Sequence, residues 1–505
     1  MKKIAQGIVR LRKLILTVAF LLLIPSAIGA IATRINYDIL TYLPQDLDSM
    51  IGEVALEDDF HLASTGMITV EGLPTNELIA MKKDIEAVPG VTQTFWLSDV
   101  IDPSIPTEML PADVQQFMFG KNDSTMLIVR FDAPSASDET MEAVAQIEKL
   151  LRKDCFFGGM SVILQDTKAL VNQEMPMYIL IAVGASLLVL FLSLESTITP
   201  LLFMLGLLFP IAYNFGTNIF LGQISYITEA LATVLQLGVT MDFSIFLLHR
   251  YQEEKELRSN NEEAMVSAIC KTMTSISASS LTTIAGFLAL CFMRLTLGRD
   301  LGLVMAKGVV LGVATVVLVL PAILLLMDGP IRRYRHPALA PNMGRLNAFI
   351  VRHRHFFVAL FFLLFFPAVY SNNHTQVYYK LDQSLPQDMP SIVSTDKLKD
   401  EFNMASSHFI VMRDDISRAR MKELEEAIDE IPGITSVVAY DKLISGTIPD
   451  FFIPDEIKDL CKQDGYQMMM VNSGYVTASD AVSQQLSQLS ALVKSYDPEA
   501  YITGE

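Results

Sequence analysis

The sequence predicts a polytopic α-helical membrane protein of about seven spans that carries two extracytoplasmic α+β domains built from repeated β-α-β units. Three observations carry that prediction: apolar residues gather into long runs, basic residues gather beside particular runs, and two polar segments repeat each other's landmarks. Hydrophobic residues make up 51% of the 505 and charged residues only 19%, with a mean hydropathy of +0.38, whereas soluble chains carry about a quarter charged residues. The net charge of −18, from 56 acids and 38 bases, argues against nucleic acid as a partner. Cys155, Cys270, Cys291 and Cys461 show neither a disulfide framework nor metal-ligand spacing, and no cofactor is expected.

A helix needs about 20 apolar residues to cross the hydrocarbon. Seven stretches meet or approach that length: 14–32, 177–194, 200–221, 227–248, 273–293, 303–327 and 356–370. The first follows Lys2, Lys3, Arg10, Arg12 and Lys13 and ends at Ala30-Ile31-Ala32, which resembles the cleavage site of a signal peptide, although the run is long for one. Basic residues mark the cytoplasmic side. They sit at the N-terminus and in the link after the sixth stretch, as Arg332, Arg333, Arg335, Arg345, Arg352 and Arg354. Six crossings separate these two regions, so both fall on the cytoplasmic side. Segments 33–175, with 24 acids against 9 bases, and 371–505, with 22 against 11, then lie outside a plasma membrane. The expected organisation is a basic N-terminus and first span (1–32), a porter-like domain (33–175), five spans (176–328), a basic linker (329–355), a seventh span (356–370) and a second porter-like domain (371–505).

The two outside segments are copies. Leu43-Pro44-Gln45-Asp46 recurs as Leu385-Pro386-Gln387-Asp388, and Val88-Pro89-Gly90-Val91 as Ile431-Pro432-Gly433-Ile434. Ile105-Pro106 and Leu110-Pro111 recur as Ile448-Pro449 and Ile453-Pro454. In the first copy, alternating apolar residues predict strands at 66–71, 91–97, 126–131 and 160–164, and helical spacing predicts helices at 75–87 and 138–153. The second copy predicts strands at 408–412, 435–440 and 467–471 and helices at 420–430 and 480–493. The repeat places the next span beyond residue 505, so the sequence reads as one repeat followed by the start of a second, a plan found in transporters built from two halves.

Asp242 is the membrane residue with chemistry. It lies eight residues before Arg250, about 12 Å at about 1.5 Å per residue, inside the hydrocarbon with no cation near it on its own helix. Ionisable side chains at that depth usually face a bundle interior and serve a function. A carboxyl that alternates between charged and neutral forms is what a proton carrier requires; a structural tie to a neighbouring helix is the competing reading. Gly238 lies one turn away and lets another helix approach. Glu229, Thr233, Gln236 and Thr240 form a second polar stripe, which either borders a wet groove or bonds a neighbouring span. Ser279 and Thr283, in a hydroxyl-rich stretch of the fifth span, either carry water beside Asp242 or allow tight packing. Lys307, one turn inside the sixth span, is placed to reach the outer surface. Gly308 and Gly312 have GxxxG spacing, and 252–271 reads as a cytoplasmic surface helix joining the fourth and fifth spans.

Gly238, Asp242-Phe243, Phe246, Arg250 and Glu253-Glu254 together resemble the fourth-span signature of the RND superfamily in its MMPL, or hydrophobe exporter, branch. The order of spans and outside domains fits the same family. The resemblance implies proton-driven export of lipids or other hydrophobic compounds, with Asp242 in the proton relay. Phe243 stands where that family commonly has a tyrosine, so the relay lacks one hydroxyl. The second to sixth spans are also similar to the sterol-sensing segment of Patched and Niemann-Pick C-type proteins.

The leading expectation is a secondary transporter whose partners are membrane lipids, a hydrophobic or lipid substrate, protons, and a second membrane half or oligomer. A non-transporting lipid or sterol sensor, or an assembly partner, is the alternative, and a SecD/SecF-type export accessory the third. No GxxxxGK[ST] motif and no catalytic constellation is present, so ATP hydrolysis and enzymatic activity are not expected.

Overall fold

The computed structural model describes residues 2–58, 60, 64–99, 115, 118–122, 124–337, 344–375, 385–443, 461–463, 465–477 and 479–504. These form two compact units, Met1–Tyr42 with Asn172–Val377 and Leu43–Val171 with Tyr378–Glu505.

The first unit holds the membrane helices. Seven helices are long and apolar enough to cross a bilayer: Arg12–Ala32, Met160–Ser193, Ile198–Leu221, Tyr226–Leu257, Asn261–Phe292, Thr296–Leu326 and Arg354–Asn373. They match the seven runs, with one correction. The chain at 252–271 makes no separate surface helix: the fourth span runs on to Leu257 and the fifth begins at Asn261, where Asn260 caps it by accepting from the Glu262 amide. The basic N-terminus is itself a helix, Lys2–Arg10, which buries Ala5, Ile8 and Val9 against the fifth and sixth spans. Beside it Arg12 pairs with Glu262 at 2.9 Å.

Close helix contact in lipid depends on small residues, because lipid tails are as apolar as leucine. The first and third spans cross where Gly29 meets Gly216; a Cβ on Gly29 would lie 2.1 Å from the Gly216 carbonyl oxygen. The Tyr213 hydroxyl donates to the Ala19 carbonyl at 2.7 Å beside this crossing.

The second unit contains both repeats. The first copy forms a four-stranded antiparallel sheet in the order Val91–Phe95, Ser124–Phe131, Ser64–Glu71, Cys155–Gly158, covered by helices Thr75–Glu86 and Asp138–Leu150. The second copy repeats it with Ile434–Val438, Tyr466–Ser473, Ser406–Arg413 and Tyr501–Gly504, adds a fifth short strand, Lys462–Gln463, on Tyr466–Ser473, and carries helices Arg418–Asp429 and Asp480–Tyr496. This is the ferredoxin-like β-α-β-β-α-β arrangement, present twice. The landmarks have equivalent local geometry. Gly90 and Gly433 turn with φ of 90° and 89°, a region open to glycine. Gln45 and Gln387 each donate to the carbonyl two residues before, at 3.4 Å. The landmarks at 105–111 and 448–454 lie outside the described residues.

One strand was misplaced by the sequence. Residues 160–164 open the helix Met160–Ser193, and the strand is Cys155–Gly158. Gly159, at φ 113°, separates the two and lets the apolar run Met160-Ser-Val-Ile-Leu164 start as a helix instead of continuing the strand.

The two copies exchange helices. Asp48–Asp58, which follows the first Leu-Pro-Gln-Asp motif, packs on Tyr501–Gly504 of the second sheet, with Lys494 paired to Asp48. Pro390–Phe402, which follows the second motif, packs on Cys155–Gly158 of the first sheet, and Leu398 and Phe402 enter its core. The Ser391 amide donates to Asp166 Oδ2 at 3.0 Å, and Lys397 pairs with Glu71 at 2.6 Å. Glu401 accepts from the Asn122 side chain at 2.6 Å, the Asn122 amide at 3.0 Å and Ser124 at 3.3 Å. Burial alone would raise the Glu401 carboxyl, but these donors outweigh it and hold the group below its ordinary range.

His408 is 2% exposed, and its Nε2 finds no partner among the described residues. Burial pushes the imidazole down to about 4. The unfolded chain takes up this proton near pH 6.5, whereas the folded unit resists until about 4. Stability is therefore complete above pH 6.5 and drains as pH falls through that window, by about 3 kcal/mol. Thermal midpoints measured between pH 7 and 4.5 are expected to fall in the wild type and to flatten in His408→Leu. Glu401, being lowered, adds its loss only at the acidic end.

Candidate membrane site

The fourth span presents two chemically different faces. Its start is capped by Ser225, whose hydroxyl accepts from the Ile227 amide at 3.2 Å. Asp242 lies on the exposed face and makes no hydrogen bond or ion pair among the described residues. It borders a groove of about 320 Å³ between the fourth and fifth spans. Val239, Phe243 and Phe246 line the groove from the fourth span, and Ser275, Ile276, Ser279 and Thr283 from the fifth. The structure thus brings Asp242, Phe243, Ser279 and Thr283 together. Phe243 is buried and turns its ring into the core shared with the fifth and sixth spans. Both Thr283, at 3.1 Å, and Thr282, at 2.7 Å, donate to the Ser279 carbonyl, so these hydroxyls are satisfied within their own helix. A Cβ on Gly238 would meet nothing within 4 Å, which leaves this face open to another helix.

Gln236 and Thr240 are elsewhere. At 100° per residue Thr240 points about 200° away from Asp242. Both are buried, Gln236 against the third and sixth spans and Thr240 against the sixth. Gln236 Nε2 donates to the Pro210 carbonyl at 2.9 Å and the Gly308 carbonyl at 3.3 Å, and its Oε1 accepts from Asn214 at 2.8 Å. The GxxxG pair is explained by the same contact. A Cβ on Gly308 would come within 2.8 Å of Asn214 Nδ2, and one on Gly312 within 2.7 Å of Thr240 Oγ1. The two glycines make room for polar side chains of neighbouring helices. Glu229 lies near the start of the fourth span, half-buried and apart from both sets. Lys307 donates to the Asn214 carbonyl at 3.0 Å and to Asn218 Oδ1 at 2.5 Å.

Two charged arrangements were not anticipated. Glu254, 1% exposed at the far end of the fourth span, pairs with Lys271 at 2.6 Å, Arg258 at 3.2 Å and Arg250 at 3.6 Å. The i,i+4 spacing of Arg250, Glu254 and Arg258 was its signal in the sequence. Beside it, Asp328 holds Lys255 and accepts from Asn261 at 2.9 Å, tying the turn between the fourth and fifth spans to the end of the sixth. The second is Asp300, which accepts from the Ser225 amide at 2.8 Å and from Thr228 at 2.7 Å.

Asp242 thus lies exposed beside a groove of small hydroxyl residues, not in the bundle interior where its depth led us to expect it. The family model for the MMPL family matches residues 49–350, more than half of the chain. The chain belongs to the MMPL family. Among its relatives, MJ1562 of Methanocaldococcus jannaschii is 22% identical over 49% of this chain and 69% of its own. The siderophore exporter MmpL5 of Mycobacterium tuberculosis is 24% identical over 60% of this chain and 34% of its own. MmpL9 of the same species is 27% identical over 34% of this chain and 18% of its own. This MMPL chain therefore aligns with about a third of MmpL5 and less than a fifth of MmpL9, and with about two thirds of MJ1562.

Proposed function

We propose that this MMPL protein acts in an RND-type secondary transporter that exports a lipid or other hydrophobic compound at the expense of a proton gradient. Asp242 carries the proton, and the observation that supports this is its position: a carboxyl with no bond or ion pair among the described residues, on the exposed face of a membrane helix beside a groove lined by hydroxyls. An ionisable group at that depth is costly against lipid, so the exposed face of Asp242 and Gly238 is where a second membrane half or another subunit supplies its counterpart. The N-terminus and the basic 329–355 segment lie in the cytoplasm, and the sheet unit lies outside the plasma membrane, where its two exchanged copies handle the substrate. Phe243 supports one competing reading, a lipid sensor without transport, because a phenyl ring neither gives nor accepts a proton.

The test reconstitutes the protein in vesicles holding a fluorescent lipid analogue and imposes a pH gradient. Movement of the analogue is expected to need the gradient and to fall about tenfold with an uncoupler. Binding of the analogue without movement would favour the sensor.

A further inference from the structure

The polar groups buried between the third, fourth and sixth spans take no part in the groove at Asp242. Lys307 places an ammonium inside an apolar helix, and its bonds to the Asn214 carbonyl and Asn218 Oδ1 use two of its three donors. Asn214 Oδ1, Asn218 Nδ2 and Thr240 Oγ1, on residues 1–2% exposed, find no partner among the described residues. Native interiors leave few such atoms, and ordered water is their usual partner. These atoms are linked: Asn218 lies one turn from Asn214, Asn214 bonds Gln236, and Thr240 lies one turn further along the fourth span. Gly308 and Gly312 let these polar atoms lie directly against the sixth span, where a Cβ would come within 2.8 Å of Asn214 Nδ2 and 2.7 Å of Thr240 Oγ1.

We propose that this set is a water-holding proton-transfer site, with Lys307 as its proton carrier, on the opposite face of the fourth span from Asp242. It deepens the transporter reading and rests on it for what the moving proton does. In each passage Nζ gives a proton to water on one side and takes one from water on the other, so the ammonium is restored and nothing else is consumed. Asp300, two turns earlier on the same helix, is the carboxylate whose charge acts on Lys307. Tyr42, from the segment after the first span, lies within the fields of both Asp300 and Asp38. The third and fourth spans present uncharged amides, and Glu229 makes no bond to the ammonium.

Two measurements on the reconstituted full chain test this. In the first, Thr240→Cys and the dry control Ala232→Cys are exposed to a small water-soluble thiosulfonate, and labelling at each position is read by mass spectrometry. A thiol reacts as its water-dependent thiolate, so position 240 is expected to label about tenfold faster than position 232. In the second, proton influx under an imposed gradient is followed with a trapped pH dye. Lys307→Gln is expected to slow influx about tenfold, while Lys307→Arg, which keeps the charge, stays within about threefold of wild type. Equal labelling at the two positions would overturn the wet site. Unchanged influx in Lys307→Gln, with influx stopped in Asp242→Asn, would overturn the role of Lys307 and leave the transporter reading standing. A wild type without influx would remove both.

Discussion

Valine at Gly29 or Gly216 is expected to leave little folded protein. The two helices meet backbone to backbone: a Cβ on Gly29 would lie 2.1 Å from the Gly216 carbonyl oxygen, and one on Gly216 would lie 2.3 Å from Ser26 Cα. No side chain can swing away to relieve either contact, so the spans must separate. That separation also breaks the Tyr213 bond to Ala19. Overpacking of this kind costs about 3 kcal/mol or more where only the backbone can yield. Gly184→Val, in the second span, meets nothing within 4 Å and serves as control. Detergent-solubilised yield and thermal midpoint check the prediction: both should drop sharply for the first two variants and stay near wild type for the control.

Asp242→Asn should produce the opposite split, with intact folding and no transport. The side chain is exposed, its bonds to other described residues are nil, and asparagine has nearly the same shape, so the thermal midpoint should move little. An amide cannot take up and release a proton near neutral pH, so gradient-driven transport should fall about a hundredfold or more. Asp242→Glu keeps the chemistry with a longer reach and should retain part of the rate. A comparable loss of stability in Asp242→Asn would instead mark a structural aspartate, the competing reading of that residue.

The spans were legible because a membrane helix is written as one continuous apolar run, and the copies because Leu-Pro-Gln-Asp and Val-Pro-Gly-Val carry their turns with them. Most strands were found from alternation. The strand at 155–158 was missed because Cys155-Phe-Phe-Gly158 is short and Gly158-Gly159 looks like loop, while the next five residues are more apolar. The helix exchange was invisible: Asp48–Asp58 and Pro390–Phe402 each have an apolar side, and nothing local states which sheet receives it. Within the membrane, the residues around Asp242 singled it out, and the hydroxyl-rich stretch of the fifth span named Ser279 and Thr283 without deciding between a place beside it and tight packing. Ser279 and Thr283 join it through packing of the fifth span, across about forty residues of chain, and Gln236 separates from it because helix rotation turns one stripe inward. Lys307 looked like a residue reaching for the surface; only the positions of Asn214 and Asn218 show that its ammonium is held inside.

The account stands on Asp242 coupling proton entry to substrate movement. The most direct measurement records both in the same vesicles, with a trapped pH dye and a fluorescent lipid analogue, for wild type and Asp242→Asn. Wild type is predicted to show proton influx and analogue export rising together with the gradient, and the variant to show neither. Export at the wild-type rate in Asp242→Asn would contradict the account.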